Sequence, residues 1–331
     1  MNEVSVDVIT RTAALNDLRS EWELLWEDCP EASPFQHPFW LLCWWEKFGT
    51  DKRLSTLTFR SNGHLVGIAP LCLLSEGGIR KVMPIGVGLS DYIDCLFATP
   101  FRKIAVHELF DYLADREKDW DLCEFMPLPS DSLLLLPCSP NGILSVIEPV
   151  DTLTTLEIPS GCVHSSISAH FSDRLKEAHA RASRLGEVQF EIQKGPLIAP
   201  AMDHLSNFRR LRWNHHSPLA EQFFRATAEE FARRSELRLY TLTINHRIVS
   251  VLYGFVQRGR GYLYLTGFDP DYKKISPGVL LIISALESLL AEGISRCEFL
   301  RGREAFKYRW KVKERLTYVR RLQSTPLKNA Q

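Results

Sequence analysis

The sequence predicts a mixed α/β protein built as two copies of one unit. Three observations carry this reading. The chain has 331 residues, room for two domains with sizeable cores. The order of strand and helix signals in its first 150 residues recurs in the rest, although the residues themselves barely match. The stretch from Tyr262 to Arg315 reads as strand, polar loop, helix, strand, with a glycine at the start of the helix.

Taken in order, period-two alternation predicts strands at 4–10, near 53–60, 64–74 and 79–97, at 121–125 and at 143–149. Helical spacing falls near 14–27, 38–48 and 102–118, with a short helix near 131–136. Trp22 and Trp26 share one helical face, and Phe39, Trp40, Trp44 and Trp45 follow helical spacing; all six read as core. An extra helix at 165–184 joins the copies. The second copy then gives strand 187–193, helices 199–213 and 219–234, and strands 237–244, 247–256 and 261–268. Asn245-His246 and Arg258 to Gly261 are its hairpin turns. Helix 277–292, strand 296–300, short helix 304–310 and strand 315–323 complete it.

Chemistry concentrates at the start of helix 277–292. Ser276 is a good N-cap, and Pro277 has no N–H to waste at the first helical position. Gly278 keeps side-chain bulk away from the free N–H groups at the positive end of the helix dipole, so a pyrophosphate could approach. Lys273 and Lys274 stand just upstream, and residues 296–321 hold ten Lys/Arg against three acids. The plain alternative is a helix start beside a solvated basic face. The first copy's counterpart, Thr99-Pro100-Phe101-Arg102, lacks a glycine and is expected to hold no cofactor.

Composition bounds the rest. Hydrophobic residues make up 45% and charged residues 24%, as in ordinary globular proteins. No signal peptide is evident and no apolar run reaches membrane-spanning length, which predicts a cytoplasmic protein without a transmembrane segment. Eight cysteines lie scattered with no C-x-x-C pair, arguing for reduced thiols and against a bound metal. Net charge is zero overall but −10 over residues 1–150 and +10 over 151–331, so the second half suits a polyanionic ligand. No nucleic-acid motif appears; DNA is not expected as a partner, and transfer RNA stays open. His215-His216 lacks an accompanying ligand set and reads as a helix end.

Gly267-Phe268-Asp269-Pro270, Ser276-Pro277-Gly278, and Phe299-Leu300-Arg301-Gly302 with Phe306-Lys307-Tyr308-Arg309-Trp310 resemble the cellulose-biosynthesis acetyltransferase (CelD/BcsL) family. Pro34-Phe35-Gln36, Ser90-Asp91-Tyr92 with Asp94, and Arg212-Trp213 extend the likeness over nearly the whole chain. Glu298 departs from the family's aspartate, and Lys311 stands where a glycine usually follows the tryptophan. That family is a tandem GNAT group related to the Fem-type aminoacyl transferases. The resemblance implies two GNAT-like acyltransferase domains, 1–150 without a cofactor and forming an acceptor wall, and 151–331 with the acyl-CoA site.

It further implies acetyl-CoA or another acyl-CoA as co-substrate, held by Gly267, Phe268, Lys274, Ser276, Pro277 and Gly278, with transfer to an amine or hydroxyl of a small-molecule or saccharide acceptor. Asp91, Tyr92, Asp94, Arg212 and Trp213 are the candidate acceptor residues; the stretch from Gly88 to Asp94 reads equally as a turn bonding its own backbone. A thioester is already activated, so the protein needs mainly to position the acceptor and stabilise an oxyanion. Asp269 and Glu304 are candidate bases, with Asp91 a third. Lys307 resembles a lysine that stabilises the transferred group in Fem-type enzymes, or is one more cation of the basic segment. Two other functions stay in view: aminoacyl transfer from charged transfer RNA to a cell-wall precursor, and a non-catalytic scaffold in polysaccharide assembly.

Overall fold

The computed structural model describes residues 3–137, 143–159, 161–213 and 217–324. The chain runs β1 (Ser5–Ile9), α1 (Thr12–Asp17), α2 (Arg19–Glu27), α3 (Pro38–Phe48), β2 (Lys52–Leu54), β3 (Thr56–Ser61), β4 (His64–Ala69), β5 (Leu71–Glu76), β6 (Ile79–Pro84), β7 (Leu96–Phe97), α4 (Arg102–Asp115), β8 (Leu122–Pro129) and β9 (Ile143–Glu157). It continues with α5 (Ala169–Leu185), β10 (Val188–Gln193), α6 (Ile198–Trp213), α7 (Pro218–Arg233), β11 (Leu237–Ile244), β12 (Arg247–Gln257), β13 (Arg260–Phe268), α8 (Pro277–Ala291), β14 (Arg296–Arg301) and β15 (Lys313–Ser324). It divides into two compact units, one of residues up to Asp151 together with the chain from Arg315, the other Thr152–Glu314. The sequence places the last strand with the second unit, whereas from Arg315 on it packs with the first.

In the first unit, β1, β3, β4 and β7 form an antiparallel sheet. β2, β5 and β6 pair antiparallel, β6 runs parallel to β8, and β8 pairs antiparallel with β15. Two expected strands are each broken: 53–60 at Ser55 and 64–74 at Pro70, where the chain changes sheet. The expected strand 79–97 is corrected more strongly. It ends at Pro84, and residues 85–95 form an irregular loop before the two-residue β7. That loop bonds itself, Ser90 N–H to the Gly86 carbonyl at 3.0 Å, which leaves no ladder to join. α4 buries Ala105, Val106, Leu109, Phe110 and Leu113 against Phe59, Leu71, Phe97 and Phe125. Trp22, Trp26, Phe39, Trp40, Trp44 and Trp45 are all buried, as their spacing predicts.

In the second unit, β10 to β13 form an antiparallel meander, β13 runs parallel to β14, and β14 pairs antiparallel with residues 153–157 of β9. Both two-residue turns take positive φ at both positions, Asn245 (49°) with His246 (63°) and Arg258 (51°) with Gly259 (68°), matching the right-handed strand twist. Both faces of this sheet are covered, so its strands read as continuous apolar runs. α8 buries Leu280, Leu281, Ile283 and Leu286 in a core that also holds Tyr240, Leu242, Leu252 and α5. On alternate residues, Tyr253 and Phe255 meet Phe231 of α7, the Phe231 and Phe255 rings stacking at 4.3 Å.

Candidate functional site

The site candidate in the second unit begins with two strands that part. β13 pairs with β12 along its whole length, but with β14 only through Arg260, Gly261 and Tyr262. β13 continues to Phe268 and β14 to Arg301. Between 263 and 268 that edge of β13 therefore meets no partner strand among the described residues. A bulge sharpens the departure: Tyr253 opposes Leu265 and Gly254 opposes Leu263, leaving Tyr264 as the extra residue. An unpaired strand edge inside a wedge presents N–H and C=O groups in a row, suited to an amide-bearing chain.

The loop after β13 leads that edge to a helix N-terminus. Asp269 is buried and holds the loop: Oδ1 accepts from the Asp271 N–H (3.1 Å) and Oδ2 from the Arg247 guanidinium (2.7 Å). A 3-10 turn, Pro270–Ile275, anchors through buried Ile275 and leaves Lys274 exposed. Ser276 occupies the N-cap position as expected, but in the left-handed region (φ 53°, ψ 53°), and its side chain makes no capping bond. Its carbonyl instead accepts from Val279 (3.0 Å) and Leu280 (3.2 Å). Pro277 has no N–H, and Gly278 is too early in the helix for an intrahelical acceptor. The first turn of α8 holds no acidic residue, so its positive pole is not neutralised there. A methyl group added at Gly278 would meet only Phe268 Cδ1, at 3.6 Å. The chain's own packing therefore does not require this glycine.

Gly267 differs. A methyl group there would lie 3.0 Å from Phe208 Cβ and 3.2 Å from the Leu205 carbonyl, so it is α6 that demands the glycine. Phe268 is half-buried between Gly278 and the Arg212 guanidinium, which sits 5.4 Å over its ring. The side chain of Trp213 lies outside the described residues, as do Asn214, His215 and His216. One turn before Arg212, Arg209 is half-buried, 6.0 Å over Phe224, whose ring meets Tyr264 at 5.9 Å. Burial lowers the pKa of Arg209, with Tyr264 opposing. In the sequence the only signal for Arg209 is its three-residue spacing from Arg212, and the bulge at Tyr264 leaves none.

At the end of β14 the backbone is strained at Leu300, whose φ is 65°, and Gly302 follows at φ 108°, which a glycine takes freely. Lys307, buried, reaches this turn. Its Nζ donates to the carbonyls of Leu300 (3.2 Å), Arg301 (2.6 Å) and Gly302 (3.3 Å) and pairs with Glu304 at 3.0 Å. Three carbonyls match the three N–H groups of an ammonium. Glu304, though exposed, is thereby engaged as a partner of Lys307. Glu298 is buried on β14 and satisfied by Thr155 Oγ1 (2.6 Å) and Arg296 (2.9 Å).

Asp91, Tyr92 and Asp94 lie in the first unit, on the loop between β6 and β7. Buried donors fix that loop. Trp40 Nε1 donates to Ser90 Oγ at 3.0 Å, and the Gln36 amide donates to the carbonyls of Asp94 and Cys95, each at 3.3 Å. Tyr92 meets Phe35 edge to face at 5.2 Å. Asp94 Oδ1 accepts from the Cys95 N–H at 2.8 Å. Burial pushes the Asp94 carboxyl up to about 7, against hydrogen bonds from Ser132 and Cys95 and with repulsion from Asp131 adding to it. The structure thus gathers Phe268, Ser276, Pro277, Gly278 and Arg212 around the start of α8. It places Lys307 and Glu304 on the turn after β14, and the three acceptor candidates in the other unit. Among the described residues no cluster of three His, Cys, Asp or Glu could hold a metal, and no helix is long and apolar enough to cross a membrane.

Residues 169–308 match the family model described as Acetyltransferase (GNAT) domain. Among solved structures, FemX is similar with a TM-score of 0.63 at 10% identity, covering 96% of each chain. The C-terminal DUF2156 domain of a protein from Agrobacterium fabrum, named as a lysylphosphatidylglycerol synthetase, gives 0.59 at 13% identity, over 94% of this chain and 92% of that one. A conserved protein of unknown function from Bacteroides thetaiotaomicron gives 0.56 at 10% identity, covering 96% and 100%. No curated protein matches the sequence. Likenesses at such identities establish the fold, and the predicted GNAT-like mixed α/β architecture is present.

Proposed function

We propose that this chain is an acyl-CoA-dependent acyltransferase, moving an acyl group, most simply acetyl, to an amine or hydroxyl of a sugar-type acceptor. The observation that carries the donor half is the wedge between β13 and β14, which ends at the un-neutralised N-terminus of α8. The two amides of a pantetheine arm would pair along 263–268 of β13. The pyrophosphate would meet the Gly278 N–H, with Lys274 and Arg212 nearby in sequence or against Phe268. An unpaired N–H of the same strand edge would face the thioester carbonyl and stabilise the oxyanion as the tetrahedral intermediate forms. Asp269 and Glu304 are each held by a cation, so the acceptor's proton would leave through water rather than directly to either. The saccharide acceptor and a cytoplasmic role in polysaccharide synthesis rest on the resemblance to the cellulose-biosynthesis acetyltransferases.

Thermal shift of the whole chain tests the reading. Acetyl-CoA at saturating concentration should raise the melting temperature by several degrees, whereas charged transfer RNA should not. Stabilisation by charged transfer RNA alone would replace the proposal with aminoacyl transfer, and stabilisation by neither would leave a scaffold.

A further inference from the structure

The first unit contains a cavity that acyl transfer does not use. It lies where the unit's strands divide: β3 stays with β1 and β4, while β2 and β5 pair with each other. The chain crosses at Ser55 and Pro70, and the Ser55 N–H bonds the Leu71 carbonyl at 3.0 Å, which fixes the split. The space left has a volume of about 220 Å³, against the ~15 Å³ that one water requires. The last turn of α4 and Trp120 close one side, Trp120 being tied by its Nε1 to the Leu113 carbonyl at 3.0 Å.

The floor and the rim differ in chemistry. Leu57, Leu71, Leu73, Val82, Leu113 and Trp120 are buried and form an apolar floor. Arg53 and Arg116 stand exposed at the rim with Asp119. Among the described residues neither arginine forms an ion pair; the Arg116 guanidinium lies 3.9 Å over the Tyr112 ring, and the charge of Asp119 favours Arg80. Thr10, Ser55 and Tyr112 also line the space, but none of them is buried, so the floor itself offers a sugar or nucleotide no hydrogen-bond partners. Two guanidinium groups at the mouth select an anionic head that both can bond.

We propose that this cavity binds a medium-chain carboxylate, its hydrocarbon tail against Leu71, Leu73 and Leu113 and its head between Arg53 and Arg116. The site lies wholly within the first unit and is independent of the donor site in the second. Its ligand is a free fatty acid, whose carboxylate stays at the rim and whose tail ends inside the cavity.

Calorimetric titration of the full chain with sodium octanoate tests the assignment, with acetyl-CoA titrated in parallel. Octanoate should bind at one site, and octanol, which keeps the tail but not the charge, at least tenfold more weakly. Monomethyl suberate, which carries an ester where octanoate ends in a methyl group, should bind more weakly than octanoate, because that end must enter the apolar floor. Arg53→Gln and Arg116→Gln are surface changes that should preserve the fold and each weaken octanoate about fivefold. Ser55→Phe should fill the mouth and abolish octanoate binding while acetyl-CoA affinity stays unchanged. No heat with octanoate in the wild-type chain, equal affinity for octanol, or unchanged binding in both arginine variants would each overturn it. Should Ser55→Phe fail to fold, the arginine variants and the octanol comparison still decide.

Discussion

Lys307 Nζ lies 2.6 Å from the Arg301 carbonyl, and with the Leu300 and Gly302 carbonyls it completes a clamp on the strained end of β14. Lys307→Met removes those donors; the Leu300 carbonyl keeps the Thr154 hydroxyl at 3.2 Å, while the part-buried Arg301 and Gly302 carbonyls lose the ammonium, so stability should fall by about 1–3 kcal/mol. Urea melts measure this directly. The resemblance to Fem-type enzymes instead assigns Lys307 to the transferred group. That role reads as a kcat reduced roughly 100-fold with stability and the KM for acyl-CoA nearly unchanged.

Gly278 separates a glycine kept for a ligand from one kept for the fold. Only Phe268 stands near an added methyl group, at 3.6 Å, so Gly278→Ala should melt within about 0.5 kcal/mol of the parent chain. A pyrophosphate seated on its N–H would feel the methyl group, and acetyl-CoA affinity should fall about tenfold. Gly278→Glu adds charge at the same place and should remove binding. Calorimetry with unchanged acetyl-CoA affinity in a folded Gly278→Glu chain would falsify the donor site.

Gly267 predicts the opposite pattern. With Phe208 Cβ at 3.0 Å and the Leu205 carbonyl at 3.2 Å, Gly267→Ala forces α6 away from β13. Overpacking of this kind costs about 1–3 kcal/mol. Thermal melts should show the loss without ligand present. A variant as stable as the parent would mean that α6 yields freely, and Gly267 would again be open to a ligand role.

These two glycines show what the sequence makes legible. The strand–loop–helix–strand order around Ser276-Pro277-Gly278 follows from periodicity and helix-start chemistry, and the structure has it. The buried tryptophans of α2 and α3 follow from spacing in the same way. Which glycine faces α6 and which faces open space depends on a helix some 60 residues away in sequence, and no local pattern carries that. The parting of β13 from β14 is likewise invisible, because Leu263 to Phe268 remain strand-like whether or not a neighbour pairs with them. Lys307 illustrates a further limit. A basic segment with ten cations reads as a solvated or ligand-binding face, yet this one cation turns inward to three carbonyls. The break of strand 79–97 at Pro84 has a local signal in the proline and in Gly86 and Gly88, which compete with the alternating apolar residues around them.

Asp94 makes a prediction in pH. Its carboxyl, ordinarily at 3.8, is pushed to about 7, chiefly by burial. Between those values the folded chain holds a proton that the unfolded chain has released. Stability from this group is therefore fully present below the unfolded value and is lost as pH rises through about 7. Asp94→Asn keeps an oxygen to accept the Cys95 N–H and has no charge to bury. Other titrating groups occur in both chains and, apart from the neighbouring Asp131 that acts directly on Asp94, cancel in the difference. Measured by urea melts, the variant should gain about 2–3 kcal/mol on the parent between pH 5 and pH 8. A difference that stays flat across that range would show that water reaches the carboxyl and that Asp94 is ionised in the folded protein at neutral pH.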